Sequence, residues 1–203
     1  MNSCRHTFTR AILVVLALCL VSAVPVSADE SKNDSGLSKA EKTKKRAEVQ
    51  KMADQTLAKL YKAEPSAKSA IAKSAGYATF SNFGMKILVA GGGTGKGLAV
   101  NNKTGKKTYM KMVEVQAGLG LGIKRFRVIW VFDHQSDYEN FINQGFEFGG
   151  QATAAAKVNE DGGARQGAIS VKEGVWIYQL TDQGVALELT LKGTKYYKNK
   201  QLN

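Results

Sequence analysis

The feature that most constrains this chain's fold is a change of residue pattern at Gly76. Upstream of it, apolar residues recur at three- and four-residue steps, the period of an α-helix. Downstream, short segments rich in β-branched and aromatic residues alternate with turn residues, which is typical of strands. These segments leave no room for repeated helical crossovers, so their sheet should be mainly antiparallel. We therefore predict an α+β fold whose strongly curved β-sheet, open or barrel-like, is covered by N-terminal helices.

Two helices are predicted before Gly76 and one among the strands. The second runs from Pro65, suited to a first helical position, to Gly76, suited to the position just past a helix end. The third begins with Ser136 as N-cap and stops at Gly145. The first helix carries one apolar stripe, which consists of Val49, Met52, Ala53, Thr56, Leu57, Leu60 and Tyr61.

Seven segments have the composition of strands, and turn residues separate them. In "RFRVIWV", Arg125 and Arg127 alternate with Phe126 and Val128, which predicts one solvent-exposed and one buried face of the strand. "NNKTGKK" predicts a hairpin turn, with Gly105 supplying a positive φ. The segments are "YATFSNF", "MKILVA", "GLAV", "KTYMKMVEV", "KRFRVIWVFD", "EGVWIYQL" and "VALELTLKG".

The N-terminus has the pattern of a secretory signal peptide. A positively charged start precedes a short apolar run, and Ser27 and Ala28 suit cleavage after Ala28. A retained membrane anchor is the alternative, but the run is short for a bilayer span of ~20 residues. Residues 29–38 are polar and predict a flexible leader. One domain is then expected over 39–203, helical over 39–76 and mainly β over 77–203, in an exported protein of the periplasm or the membrane-associated envelope.

Cysteine content limits the kinds of site that the chain can form, and net charge indicates the kind of partner that it binds. Both cysteines, Cys4 and Cys19, lie in the predicted signal peptide, so the mature chain has no disulfide, thiol nucleophile or cysteine metal site. Losing Arg5 and Arg10 with that peptide takes the formal net charge from +12 to +10. Such a charge favours an anionic partner. Export argues against nucleic acid, because the envelope offers little of it.

The segment "GGGTGKG" at residues 91–97 suggests a phosphate-binding loop, but its spacing does not fit one. A P-loop needs G-x-x-x-x-G-K-[ST]. Here Ala90 stands at the first glycine position and Gly97 replaces the hydroxyl residue that would reach the metal. The G-x-G-x-x-G pattern fails as well, since counting from Gly91 puts Lys96 at its last position. Glycines within strands mark bends or close backbone approach, so an architectural role is predicted.

Several segments in order resemble the SYLF domain family. They are "AGYATFSNFGMKILVAGGGTGKGLAV", "VIWVFDHQSDYENFINQGFEFG" and "VWIYQLTDQGVALELTLKGTKYY". The family's G-G-x-x-G-x-G segment is matched by Gly91, Gly92, Gly95 and Gly97, and the resemblance covers roughly residues 50–198.

This resemblance implies a lipid-binding module. Eukaryotic members are phosphoinositide-binding domains in which an N-terminal amphipathic helix takes part, and bacterial members look like small exported envelope proteins. The sequence leads us to expect no actin-binding or SH3 extension, and phosphoinositide specificity is not expected to carry over to a bacterial envelope.

The candidate lipid-binding residues form a basic cluster beside the apolar stripe of the first helix. A cationic face next to an apolar face is typical of helices that lie on a membrane. The alternative is that the stripe packs on the sheet and the lysines are merely solvated, as charge runs usually are. The cluster consists of Lys42, Lys44, Lys45, Arg46 and Lys51.

No catalytic or metal site is predicted. His134 is the one histidine after the predicted cleavage and has no second histidine or cysteine to share a metal with, so a turn position is favoured. Trp130, Trp176, Tyr196 and Tyr197 are either interfacial anchors or packing residues. The predicted function is non-enzymatic, cofactor-free binding to anionic phospholipid of the bacterial envelope. The alternative is a structural or protein-interaction module of the periplasm or outer membrane, with an envelope protein as partner.

Overall fold

The computed structural model describes residues 36–87, 90–117, 122–148, 157–158, 165–181, 184–186 and 193–203. The predicted signal peptide and most of the predicted leader lie outside these ranges, so both stay predictions. The described ranges contain three helices, α1 (Lys39–Ala63), α2 (Ser66–Lys73) and α3 (Gln135–Gln144).

α1 begins at a capping box. The Ser38 hydroxyl accepts a hydrogen bond from the Glu41 backbone N–H, and the Glu41 carboxylate accepts one from the Ser38 N–H. The two bonds satisfy backbone donors that the helix itself leaves unpaired. The predicted stripe is confirmed, because Val49, Met52 and Leu60 are buried within α1.

Two predicted helix boundaries are wrong. α2 ends at Lys73, and Gly76 is the first residue of a strand, where a Cβ atom would lie 2.6 Å from the Tyr138 ring. The glycine therefore makes room for a neighbouring aromatic residue. α3 has His134, not Ser136, as its N-cap, whereas Gly145 is its C-cap as predicted, at φ 80°.

Within the described ranges, ten strands form one antiparallel sheet, in the order β5-β10-β3-β2-β1-β4-β8-β7-β6, with β9 beside β8. The sheet curls into a half-barrel, which confirms the α+β prediction. The strands are β1 (Gly76–Ile87), β2 (Ala90–Asn101), β3 (Lys107–Ala117), β4 (Gly122–Phe132), β5 (Phe146–Glu147), β6 (Lys157–Val158), β7 (Ile169–Lys172), β8 (Val175–Thr181), β9 (Gly184–Ala186) and β10 (Thr194–Lys198).

The predicted strand "YATFSNF" and residues 85–87 of "MKILVA" form one strand, while residues 88–89 lie outside the described ranges. β1 continues through Gly84 because it pairs along its length with β2 on one side and β4 on the other. The glycine segment lies inside β2, and Gly105 closes the β2–β3 hairpin at φ 69°, as predicted. The short strands β5, β6, β7 and β10 were not predicted.

Alternation along the strands separates two faces. On the α3 face, Phe80, Trp130 and Tyr196 are fully buried and pack with Phe141 of α3. On the α1 face, Leu98 and other apolar side chains pack beneath α1 and α2. Trp130 and Tyr196 are therefore core residues, not interfacial anchors.

Tyrosine burial predicts that the fold weakens at alkaline pH. Burial raises the pKa of Tyr138 and of Tyr178 to about 12, and it raises the pKa of Tyr196 further. The unfolded chain releases these protons near pH ~10 while the folded chain still holds them, so stability falls as the pH rises from about 10 to 12. Urea unfolding at about pH 8 and about pH 11 should show lower stability at the higher pH. Fewer tyrosines should ionise in the native protein than in urea, by ultraviolet absorbance, and identical titrations would contradict the prediction.

Candidate functional site

A cleft of about 950 Å³ lies between the N-terminal half of α1 and the α1 face of strands β1 to β4. Lys45, Glu48 and Val49 of α1 form one wall, and Ser81 and Thr94 lie on its floor. The C-terminal residues Asn199, Gln201 and Leu202 also line it. The volume is in the range of small-molecule binding sites.

The charge of this cleft is strongly one-sided. Among the described residues that line it there are six cations and one carboxylate, Glu48. Cations that share a concave site reinforce one another's electrostatic potential more than cations spread over an open surface do. The cations are Lys45, Lys59, Lys96, Lys111, Arg125 and Arg127.

Strand register places three of these cations in one cross-strand row. Lys111 of β3 is opposite Lys96 of β2, Lys96 is opposite Ser81 of β1, and Ser81 is opposite Arg127 of β4. Directly opposed side chains have Cβ atoms about 4.5–5.5 Å apart, and like charges at that spacing are destabilising. We call Lys111, Lys96, Ser81 and Arg127 the basic row.

The basic row has little neutralisation within the described part of the chain. Lys96 Nζ lies 3.6 Å from Glu48 Oε2, and both side chains are about half exposed, 49% and 51%. Such an exposed pair is weak. Arg127 Nε is buried with no hydrogen-bond partner there, although buried polar groups are usually paired. An anion in the cleft would add a counter-charge beside this guanidinium, since Arg127 lines the cleft.

The predicted basic cluster is not a single face. At 100° per residue, Lys44 and Lys51 share the outward side of α1, whereas Lys45 faces the cleft and half-buried Lys42 shares the side of Val49. Arg46 is tied into the fold, with Nε donating to the Leu202 carbonyl at 2.7 Å and the guanidinium 5.5 Å from the Tyr109 ring centroid.

The apolar stripe of α1 is occupied by the domain itself. Val49, Met52 and Ala53 pack with Leu98 of β2 and Leu202 near the C-terminus. Leu60 packs with residues of β4 and β8. The stripe is therefore part of the hydrophobic core, in agreement with the alternative that it packs on the sheet.

Sequence reasoning missed most of the cleft. It assigned no binding role to Lys96, which lies within β2 and lines the cleft. The alternation in "RFRVIWV" did mark Arg125 and Arg127 for a wet face, which was the available signal. The basic row itself depends on which strands pair and in what register, and local patterns do not carry that information.

The structure also locates the other candidate features within the described ranges, and it places Tyr197 on the lining of the cleft. No helix within the described ranges is long and apolar enough to cross a membrane, and no group of three or more potential metal ligands occurs there. His134 is exposed at the start of α3. Trp176 donates its Nε1 hydrogen to Asp133 Oδ2 at 3.0 Å and lies beneath Arg165, so it anchors a loop.

Comparison with known proteins finds a matching family and a related protein. Residues 113–203 match the family described as "Ysc84: Las17-binding protein actin regulator". The chain is also 33% identical over 159 residues to "Beta cell expansion factor A" of Aeromonas veronii, across 77% of this chain and 58% of that protein. Residues 113–203 belong to the Ysc84, or SYLF, family. The resemblance noted from the sequence is thereby confirmed.

SYLF membership indicates a lipid-binding or protein-interaction module. The matched SYLF residues supply Arg125 and Arg127 to the cleft, whereas Lys45, Lys96 and Lys111 precede them. The chain spans little more than half the length of the relative, so nothing of that protein's full activity follows for this one.

Proposed function

We propose that this protein is a non-enzymatic module that binds anionic phospholipid at a membrane surface of the cell envelope. The observation that carries the proposal is the cationic cleft, where six cations face one carboxylate among the described lining residues. Near an anionic leaflet each Lys or Arg contributes about 1 kcal/mol of attraction.

Two further observations support the proposal. SYLF membership makes lipid binding one of the two activities expected of the domain. The net charge of +12 favours an anionic surface. The envelope location rests on the predicted signal peptide, which lies outside the described residues.

Attachment through the cleft does not require α1 to insert into the bilayer. The stripe of α1 is packed on the sheet, so a membrane would be met mainly by the cations of the cleft. Binding of this kind is electrostatic and weakens as salt screens the charges.

Vesicle co-sedimentation tests the proposed function. Vesicles containing phosphatidylglycerol should capture the mature protein, vesicles of phosphatidylcholine alone should not, and capture should decrease with rising salt. Equal failure on both kinds of vesicle would remove lipid binding as the function.

A matched pair of charge reversals on α1 tests the location. Lys45→Glu changes the cleft wall, and its neighbour Lys44→Glu makes the same charge change on the outward side. We expect Lys45→Glu to reduce affinity for anionic vesicles about tenfold and Lys44→Glu no more than about twofold. Equal losses for the two variants would show that the cleft is not the contact surface. Circular dichroism should show that both remain folded.

A protein-interaction module is the second candidate function. It is favoured by the description of the matched family, which names Las17 binding and actin regulation. Pull-down of a single envelope protein in the absence of lipid, together with failure of vesicle capture, would favour it over lipid binding.

A further inference from the structure

We propose that the basic row is a binding subsite for one phosphate group. When no phosphate is bound, Glu48 acts as the internal counter-ion of the row. This inference rests on the proposed function, because it assigns the headgroup contact to particular residues of the same cleft. The chemistry sought is a phosphate monoester or diester, whether it belongs to a lipid headgroup or to a free anion.

The register brings the ligand-binding groups around one point. Ser81 is flanked by Lys96 on β2 and Arg127 on β4, each one strand away. Adjacent strands lie about 4.8 Å apart, so the Lys96 and Arg127 backbones are about 10 Å from each other. Both side chains are long enough to reach over Ser81 from opposite sides. A phosphate there would accept hydrogen bonds from an ammonium, a hydroxyl and a guanidinium.

Arg127 makes the row more than a patch of surface charge. Its side chain is partly buried in the cleft, and its Nε atom has no acceptor in the described part of the protein. A guanidinium presents its N–H groups in a fixed planar fork that matches phosphate oxygens. The orphan Nε is therefore a buried donor without an acceptor, in a residue that lines a concave site.

The pairing of Lys111 with Lys96 also favours an anion at the basic row. The two ammonium-bearing residues are direct cross-strand neighbours, which is unfavourable unless an anion lies between or above them. Glu48 provides one such anion from α1, at 3.6 Å from Lys96 Nζ. Because this contact is exposed and long, an incoming phosphate can displace it.

The role of Glu48 as counter-ion predicts that removing its charge increases the affinity for phosphate. Glu48→Gln removes the internal competitor while the cations stay, so binding of inorganic phosphate should become about two- to fivefold tighter. A gain in affinity does not arise from misfolding. Arg127→Gln should weaken phosphate binding about tenfold, since a charge-assisted hydrogen bond is lost. Lys96→Gln should weaken it in the same direction if Arg127→Gln fails to fold.

Isothermal titration with inorganic phosphate, beside vesicle co-sedimentation with phosphatidylglycerol, measures both sources of the anion. Lys44→Gln on the outward side of α1 is the matched loss of one charge and should leave phosphate affinity unchanged. If the subsite holds a lipid headgroup, Arg127→Gln lowers vesicle capture and inorganic phosphate competes with vesicles. If it holds free phosphate alone, the variants change phosphate affinity and leave vesicle capture as it is.

The two proposals fail in different ways. Phosphate binding that responds to Glu48→Gln and Arg127→Gln, with no capture on any vesicle, would refute the lipid function and support the subsite. Vesicle capture by the wild-type protein, with no phosphate binding and no response to either variant, would refute the subsite and leave the lipid function standing.

Discussion

The Trp130→Ala variant is expected to lose about 3–5 kcal/mol of folding free energy, the range for removing a large aromatic side chain from a core. Trp130 is fully buried on the α3 face, and its ring centroid lies 4.9 Å from that of Phe141 and 5.1 Å from that of Tyr196. Phe146 and Phe148 complete its surroundings, at 4.9 and 5.5 Å. Through these contacts it joins the sheet to α3, β5 and β10.

Urea unfolding followed by circular dichroism measures this loss. Trp176→Ala is the matched control, because Trp176 is partly exposed on the α1 face of the neighbouring strand β8. We expect a smaller loss there, about 1–2 kcal/mol, from the hydrogen bond to Asp133 and the stacked Arg165. Equal losses for the two tryptophans would contradict the assignment of Trp130 to the core.

The second large effect is expected at Gly97. A Cβ atom at this position would overlap Cδ1 and Cε1 of the Phe80 ring. Phe80 is fully buried and held by Tyr196, at 4.7 Å between ring centroids, so the ring has little space to move. Gly97→Ala should therefore cost about 2–4 kcal/mol, as overpacking in a rigid core does. The conflict is steric, since Gly97 is not among the residues with positive φ.

Gly92 provides the control within the same glycine segment. A Cβ atom there would lie 3.4 Å from the Glu114 carbonyl oxygen, an ordinary contact, so Gly92→Ala should change stability by less than about 1 kcal/mol. Phe80→Leu should also reduce the cost of Gly97→Ala, because the two positions share one space. A harmless Gly97→Ala would reopen ligand binding as the role of these glycines, because steric packing would no longer account for them.

The fold class and the role of the glycines could be predicted from local pattern. The three- and four-residue spacing from Val49 to Tyr61 marks one buried side of α1, whatever that side packs against. The spacing of the glycines by itself argues against a nucleotide-binding loop. The glycines that leave room for Phe80 and Met112 are Gly97 and Gly95, which agrees with the predicted architectural role.

Element boundaries were predicted less well because tertiary contacts override local signals. Gly76 has the chemistry of a helix stop, yet it opens β1, where Tyr138 packs against it. Gly84 looks like a break between two strands, yet pairing with β2 and β4 carries β1 through it. In both cases the glycine serves space or pairing, not a turn.

The candidate site divides in the same way. The sequence by itself determined a basic, α+β chain, the buried stripe of α1, and a wet face for Arg125 and Arg127. Only the tertiary structure decided that Lys45 faces a cleft while Lys44 does not, and that Arg46 is bound to the C-terminal segment. It also aligned Lys111, Lys96, Ser81 and Arg127. The physical reason is that alternation fixes the face of a strand residue, whereas its neighbour across the sheet depends on register between segments distant in the chain.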